Sequence, residues 1–236
     1  MNGGVDQDSM NEEETSGEAF QLNAEDFAPA PPPKPTFLSK MPPGNKLLPV
    51  AVFYFLAVAA SIVHWRVPTW SEYLPVSQQS AFHRHEFWRL VTALFVHSDL
   101  VHLLSNTPLL IIFGWLLYGF FGALAFPIAA IAVGTLANAL TVAFYPPEVW
   151  LIGASGMVYG MVGMWLTFYV ALEKAYSVPM RIVRAVGFIL VLLFPTTFEP
   201  TTSYLAHTFG FVLGVVAALV ILLFKWRTFT FPRSSL

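Results

Sequence analysis

Two polar residues far apart in the chain could together attack a carbonyl. Ser155 lies in the motif Gly153-Ala-Ser155-Gly156, at the start of a long apolar stretch. A serine hydroxyl becomes a good nucleophile only when a base removes its proton. An ordinary imidazole titrates in the range that this role needs, and His207 is the one histidine after residue 102. The pair therefore predicts a nucleophile, Ser155, and a general base, His207.

A second pair could stabilise the negative charge that such an attack produces. His102 and Asn106 are four residues apart, so on a helix their side chains share one face and can donate hydrogen bonds to one point. Pro146 and Pro147 disfavour helix shortly before Ser155, which places that serine near a helix N-terminus. Free N–H groups and the helix dipole favour an oxyanion there. The alternatives are a polar helix start and a serine that only caps its helix.

A third set of residues could bring the serine and the histidine together. Tyr159 follows Ser155 by one helical turn, so its ring is expected to stack on His207. Gly210 and Gly214 form a GxxxG pair that allows another helix backbone to come close. The matching small residues of the other helix are Ser155, Gly156, Gly160 and Gly163. The alternative is a packing motif with an incidental histidine.

The helices that must carry these motifs are predicted from hydropathy. Of the 236 residues 56% are hydrophobic and 11% charged, about half the charge of a soluble domain, and the mean hydropathy is +0.63. A bilayer core requires about 20 apolar residues in a helix. The sequence therefore predicts an all-α membrane protein with six transmembrane helices, at 47–65, 100–121, 123–144, 155–172, 183–198 and 204–224.

The distribution of lysine and arginine predicts the orientation of these spans. With a cytoplasmic N-terminus, nine of the twelve bases lie inside, and only Arg66, Arg84 and Arg89 lie outside. Both termini are then cytoplasmic. Even-numbered spans begin at the outer surface, so the three polar motifs are expected at similar depth near it.

The remaining segments complete the predicted domain organisation. Residues 1–45 are acidic and then proline-rich, which predicts a disordered cytoplasmic tail before a membrane domain at 46–226 and a short cytoplasmic tail at 227–236. Residues 66–99 are rich in aromatic side chains and are predicted to form an interfacial loop between spans one and two, the alternative being an ordinary external loop.

Composition also limits the ligands. The chain has no cysteine, which excludes disulfides and thiolate metal sites, and a net charge of −2 gives no reason to expect nucleic acid. We expect no metal and no cofactor. The oligomeric state cannot be read from the sequence.

Over residues 47–225 the chain resembles the rhomboid family of intramembrane serine proteases. The resemblance is carried, in order, by Trp88-Arg89, His97, His102xxxAsn106, Gly153-Ala-Ser155-Gly156 with Tyr159, and Ala206-His207-Thr-Phe-Gly210xxxGly214. It implies a six-helix rhomboid-like bundle with Ser155 as nucleophile and His207 as base. It also implies His102, Asn106 and the Ser155 N–H as oxyanion donors. Trp88, Arg89 and His97 are then supporting residues of the outer loop.

The implied function is an intramembrane serine endopeptidase that cleaves transmembrane segments of membrane proteins near the outer leaflet. Its partners would be transmembrane protein substrates and the lipid bilayer of a plasma or bacterial inner membrane. The alternatives are a non-catalytic rhomboid-like adaptor that binds transmembrane helices, and a transporter that moves protons through His102 and His207.

Overall fold

The regular structure of the chain is helical. A computed structural model describes residues 35–193 and 202–230. The α-helices of these residues are α1 (Leu48–Arg66), α2 (Pro68–Tyr73), α3 (Arg89–Thr92), α4 (Leu100–Phe121), α5 (Ala130–Phe144), α6 (Ser155–Leu172), α7 (Val178–Phe188) and α8 (Tyr204–Thr230). Across the same residues there is no β-strand, and one antiparallel bridge joins Val76 to Leu151. The predicted all-α class is confirmed for this part of the chain.

Within the described residues, five helical segments are long and apolar enough to cross a membrane. They are Gly44–Arg66, Leu100–Phe121, Leu124–Phe144, Ser155–Leu172 and Tyr204–Lys225. They correspond to five of the six predicted spans, and the bounds predicted for 100–121 and 155–172 are those of α4 and α6. Long apolar runs are helical here because a helix satisfies its backbone polar groups internally.

The predicted span at 183–198 differs from the others. Its helix, α7, begins at Val178 and is followed by a π-helical turn at Ile189–Leu193, while the end predicted at residue 198 lies outside the described residues. α7 carries Arg181 and Arg184, so its described part is amphipathic rather than uniformly apolar. The count of six transmembrane helices stays a prediction.

Helix α6 lies at the centre of the bundle and packs against α4, α5, α7 and α8. Its buried face includes Met157, Met161 and Phe168, each fully buried. The Phe168 ring stacks on Phe121 of α4 with 3.9 Å between ring centroids. The residue that begins α6, Ser155, is therefore carried by the most enclosed helix of the five.

The segment before α1 packs against the C-terminal ends of α4 and α6. The Phe37 ring lies 5.9 Å from Phe120, the Trp115 indole donates a hydrogen bond to the Pro43 carbonyl at 3.3 Å, and the Thr36 hydroxyl donates to Glu173 at 3.1 Å. Of the predicted tail at 1–45, residues 1–34 lie outside the described part, and from residue 35 onward the chain contacts the helices. At the other end α8 continues to Thr230, past the predicted boundary at 226.

The loop between α1 and α4 contains the short helices α2 and α3 and a π-helical turn at Gln79–His83. Several of its aromatic side chains, Trp70, Phe87 and Trp88, are about half exposed. Such exposure agrees with the amphipathic composition seen in the sequence. Its placement at a membrane interface stays a prediction.

Candidate active site

Ser155 is the first residue of α6 and follows a sharply bent loop. Gly153 has φ of 114°, a conformation that glycine adopts without strain, and its N–H donates to the Ala93 carbonyl at 2.9 Å. Ala154 caps the helix. The bend sets the half-buried serine at the N-terminus of α6, where the first backbone N–H groups have no partner within the helix.

His207 lies in the first turn of α8. The start of this helix is fixed by Ser203, whose hydroxyl accepts the Ala206 N–H at 3.2 Å and lies 2.8 Å from the Tyr145 hydroxyl at the end of α5. The His207 backbone N–H donates to the Ser203 carbonyl at 3.2 Å. The imidazole is thus presented at the same end of the bundle as Ser155.

The backbones of α6 and α8 are in direct contact. A Cβ atom on Gly210 would lie 2.8 Å from the carbonyl carbon of Gly156, and one on Gly214 would lie 2.7 Å from that of Gly160, closer than real Cβ atoms come. Only glycine fits at these two positions of α8. The close approach expected from the small residues of the two helices is present.

The rings of Tyr159 and His207 are stacked. Their centroids are 4.0 Å apart and their planes differ by 11°. Tyr159 lies one turn after Ser155, so the stacking anticipated from this spacing is present. The imidazole consequently rests on the same helix face as the serine. A second aromatic ring, Tyr204, meets His207 edge-on at 6.1 Å.

No hydrogen bond joins the Ser155 hydroxyl to the His207 ring among the contacts of residues 35–193 and 202–230. Nucleophile and base are often separated in a free enzyme and approach when substrate binds. The two side chains lie on contacting helices, and the His207 ring stacks on Tyr159, which follows Ser155 by one helical turn.

His102 lies against the loop that precedes Ser155. A Cβ on Gly153 would meet the Cε1 and Nε2 atoms of the His102 ring at 2.6 and 2.7 Å, so the ring edge covers this glycine. The other ring nitrogen, Nδ1, is 3.2 Å from the Ser98 hydroxyl. The structure therefore brings the predicted oxyanion donor to the bend before the serine.

Asn106 is nearly buried on the same face of α4. Its amide nitrogen donates to the His102 carbonyl one turn earlier, at 3.1 Å. A carboxamide NH₂ group has two hydrogens, so one donor is left after this bond. The expected common face of His102 and Asn106 exists, with part of the Asn106 donor capacity used inside the helix.

Arg89 organises the loop between α1 and α4. The residue is 1% exposed, and its guanidinium forms an ion pair of 2.6 Å with Glu86. It also donates to the carbonyl oxygens of Glu72 and Pro75, the latter at 3.3 Å. Trp88, by contrast, is 54% exposed. Of the predicted pair, the arginine therefore holds the loop together, whereas the tryptophan faces outward.

A cavity of about 640 Å³ adjoins Arg89. It extends to Ser98 and Ile152, which neighbour His102 and Gly153, and it is large enough to hold several water molecules. In the described part of the chain no group of three histidine, aspartate or glutamate side chains could hold a metal ion.

His97 is also buried beside the bend. Its Nε2 atom is 3.4 Å from the Ala154 backbone nitrogen, and its Nδ1 atom is 3.2 Å from the hydroxyl of Ser61 in α1. The sequence predicted His97 as a supporting residue but missed Ser61. A lone serine in an apolar span gives no signal of its own, since only the folded bundle brings α1 to this loop.

Asp99 was also missed. Its carboxylate accepts the His102 backbone N–H at 2.9 Å and caps α4. This hydrogen bond, followed by one from Ser98, lowers the pKa of Asp99. An acidic residue immediately before an apolar helix is the usual signal for such a cap and could have identified it.

Comparison with known families agrees with this geometry. A family model described as Rhomboid domain matches residues 84–224, which include α3 to α6, α7 and the membrane-spanning part of α8. All of the site residues predicted from the sequence, from Trp88 to Gly214, fall within the matched range.

Individual relatives are distant in sequence. The chain is 27% identical to RHOMBOID-like protein 1 of Arabidopsis thaliana over 60% of its own length and 36% of that protein. It is 24% identical to YdcA of Bacillus subtilis, a candidate rhomboid protease, over 75% of this chain and 85% of YdcA. It is 26% identical to Rhomboid-like protease 3 of Toxoplasma gondii over 57% of this chain and 52% of that protein. The chain thus spans about a third of the Arabidopsis relative and most of the bacterial one.

Proposed function

The chain belongs to the rhomboid family, and we propose on this basis that it is an intramembrane serine endopeptidase with a Ser155–His207 dyad. The observation that carries the proposal is the contact between α6 and α8, in which the His207 ring stacks on Tyr159, one turn from Ser155. A packing motif alone does not require a histidine at this position, whereas a serine nucleophile requires a base such as histidine.

In the proposed reaction the Ser155 hydroxyl oxygen attacks a peptide carbonyl and gives its proton to His207. The tetrahedral intermediate then collapses, and His207 passes the proton to the leaving amine. Water, deprotonated by His207, hydrolyses the ester between Ser155 and the acyl group, and the proton returns to the serine. The cavity that reaches Ile152 is a source of that water.

The developing oxyanion would be stabilised by the Ser155 N–H at the start of α6, by His102 and by the remaining N–H of Asn106. Donors that already point at the developing charge are among the largest contributions to catalysis of this type. In its neutral form His102 donates from Nε2 only when Nδ1 carries no hydrogen, and Nδ1 can then accept a hydrogen bond from the Ser98 hydroxyl. Ser98 also lies 2.8 Å from the Asp99 carboxylate, so two acceptors share one hydroxyl hydrogen.

The proposed substrates are transmembrane segments of other membrane proteins. A peptide bond inside a helix has its carbonyl in a hydrogen bond, so the segment must unwind before attack. We therefore propose that substrates with helix-breaking residues near the outer leaflet are preferred. With both termini cytoplasmic, as the lysine and arginine distribution predicts, the site faces the exterior of a plasma or bacterial inner membrane.

The test is cleavage by the full chain in proteoliposomes. A panel of single-span substrates, with and without a glycine or proline near the outer leaflet, is incubated with the wild type, Ser155→Ala and His207→Ala, and the cleavage sites are mapped. We expect cleavage by the wild type and a loss of at least about 10³-fold in each variant.

Labelling with a fluorophosphonate probe gives an independent readout, because the probe reacts with an activated serine. The wild type should be labelled at Ser155 and His207→Ala should not. Wild-type protein that neither cleaves nor reacts, yet still binds transmembrane helices, would support the adaptor alternative instead. Equal cleavage by wild type and Ser155→Ala would refute the proposed nucleophile.

A further inference from the structure

Helix α1 carries none of the proposed catalytic residues, but it is linked through His97 to the loop before Ser155. α1 holds this histidine at two points. The Trp65 indole donates to the His97 carbonyl at 2.7 Å, and the Ser61 hydroxyl lies 3.2 Å from Nδ1. His97 and Ser61 are both almost completely buried, so these contacts are not exchanged with bulk water.

The direction of each hydrogen bond follows from the donors available. The Ser61 hydroxyl donates its one hydrogen to the Phe95 carbonyl at 3.4 Å, which leaves its lone pairs to accept from His97. We therefore assign the hydrogen of the neutral ring to Nδ1. The lone pair of Nε2 then faces the backbone N–H of Ala154 at 3.4 Å and accepts it.

We propose that Ser61 and His97 are positioning residues for Ser155: Ser61 fixes the tautomer of His97, and His97 holds the backbone N–H of Ala154. The proposal rests on the proposed function for its effect on catalysis. Ala154 immediately precedes the serine and caps α6, so its peptide plane sets the direction in which Ser155 leaves the bend. A shift of about 1 Å at a nucleophile costs on the order of 100-fold in rate.

The chain of hydrogen bonds from Ala154 through His97 to Ser61, here called the relay, requires a neutral His97. A protonated ring would point an N–H at the N–H of Ala154, and the hydrogen bond would be lost. Burial, and to a smaller extent the neighbouring His102, lower the pKa of His97 to about 4, although Asp99 opposes the shift. The His102 ring meets His97 edge-on at 5.1 Å. At neutral pH the acceptor at Nε2 is therefore available.

The test compares four variants with wild type: Ser61→Ala, His97→Leu, His97→Gln and Ser80→Ala. Glutamine offers a carbonyl oxygen that can accept the Ala154 N–H, whereas leucine offers none. Ser80 is as buried as Ser61, but its hydroxyl bonds within its own turn to Ser77, so Ser80→Ala is the matched control. The readouts are cleavage kinetics and hydrogen–deuterium exchange of the peptide that contains Ala154.

We expect kcat to fall about 100-fold in His97→Leu and about tenfold in Ser61→Ala, with KM changed less than about threefold. His97→Gln should recover most of the loss, and Ser80→Ala should match wild type. A rise in KM with kcat unchanged would overturn the positioning role. So would a His97→Gln variant as slow as His97→Leu.

Hydrogen–deuterium exchange at the Ala154 amide tests whether the relay exists, and it does not depend on any cleavage activity. It should be at least about tenfold faster in Ser61→Ala and His97→Leu than in wild type and Ser80→Ala, since the bonded amide is released. Unchanged exchange in both variants would overturn the relay. If wild type cleaved no substrate, the proposed protease activity would fail, and the exchange data would still decide whether Ser61 and His97 hold this amide.

Discussion

Adding one methyl group to α8 should separate the proposed nucleophile from its base. In Gly210→Ala the new Cβ would lie 2.8 Å from the carbonyl carbon and 3.1 Å from the Cα of Gly156, and nearer still to the carbonyl oxygen. All of these are backbone atoms, so no side chain can rotate away. Ordinary van der Waals contact begins at 3.4 Å, and the gap at the carbonyl carbon must widen from 2.8 Å to that value.

The size of the effect follows from this displacement. Clearing the carbonyl oxygen as well requires a separation of roughly 1 Å, and misplacement on that scale costs on the order of 100-fold in rate. Overpacking destabilises by about 1–3 kcal/mol, while alanine is a better helix former than glycine by about 1 kcal/mol. We therefore expect a folded variant with kcat about 100-fold below wild type.

The assay is cleavage of a single-span substrate in proteoliposomes, with thermal unfolding measured on the same samples. Gly187→Ala in α7 is the matched control, because a Cβ there meets nothing within 4 Å, and it should retain wild-type kinetics. A Gly210→Ala variant with wild-type kcat and stability would refute the inference that contact between α6 and α8 sets the geometry of the dyad.

Three further outcomes follow from single side chains. Because the pKa of His97 is about 4 when folded and about 6.5 when unfolded, the unfolded chain binds the proton first on acidification. The free energy of unfolding should fall by about 3 kcal/mol between pH 6.5 and 4. Denaturant titrations should show a fall that is larger by about this amount in wild type than in His97→Gln, and equal falls in the two proteins would contradict it. Arg89→Lys should lower the unfolding free energy by roughly 3 kcal/mol, since an ammonium group cannot bridge two carbonyls and Glu86 together; an unchanged unfolding midpoint would be inconsistent with this. Tyr159→Leu should reduce kcat about tenfold through loss of ring stacking, and Tyr159→Phe should lose less; equal losses would assign the effect to the hydroxyl instead.

Much of the bundle could be predicted because lipid imposes one rule on long apolar segments. The start of α4 and the end of α6 lie where Asp99 and Glu173 interrupt the apolar sequence. α7 was placed five residues too late, because Arg181 and Arg184 reduce its mean hydropathy although the backbone is already helical there. An amphipathic helix gives a weaker signal than an apolar one at the same position.

The candidate site was predictable where chemistry fixes residue type and spacing. Ser155 and Tyr159 share a helix face whatever the rest of the chain does, and Gly210 and Gly214 indicate a close neighbour. The partners of His97 were not predictable in the same way. Ser61 is separated from it by 36 residues, and only tertiary packing decides which serine in an apolar helix meets a buried imidazole.

Arg89 holds the loop between α1 and α4 through main-chain oxygens of Glu72 and Pro75 rather than through their side chains. Every amino acid supplies such an oxygen, so the residues at these two positions can be exchanged without loss of the bonds. The path of the loop is thereby separated from its surface chemistry. Variants with new side chains at Glu72 should therefore change the lining of the adjoining cavity while the path of the loop is kept.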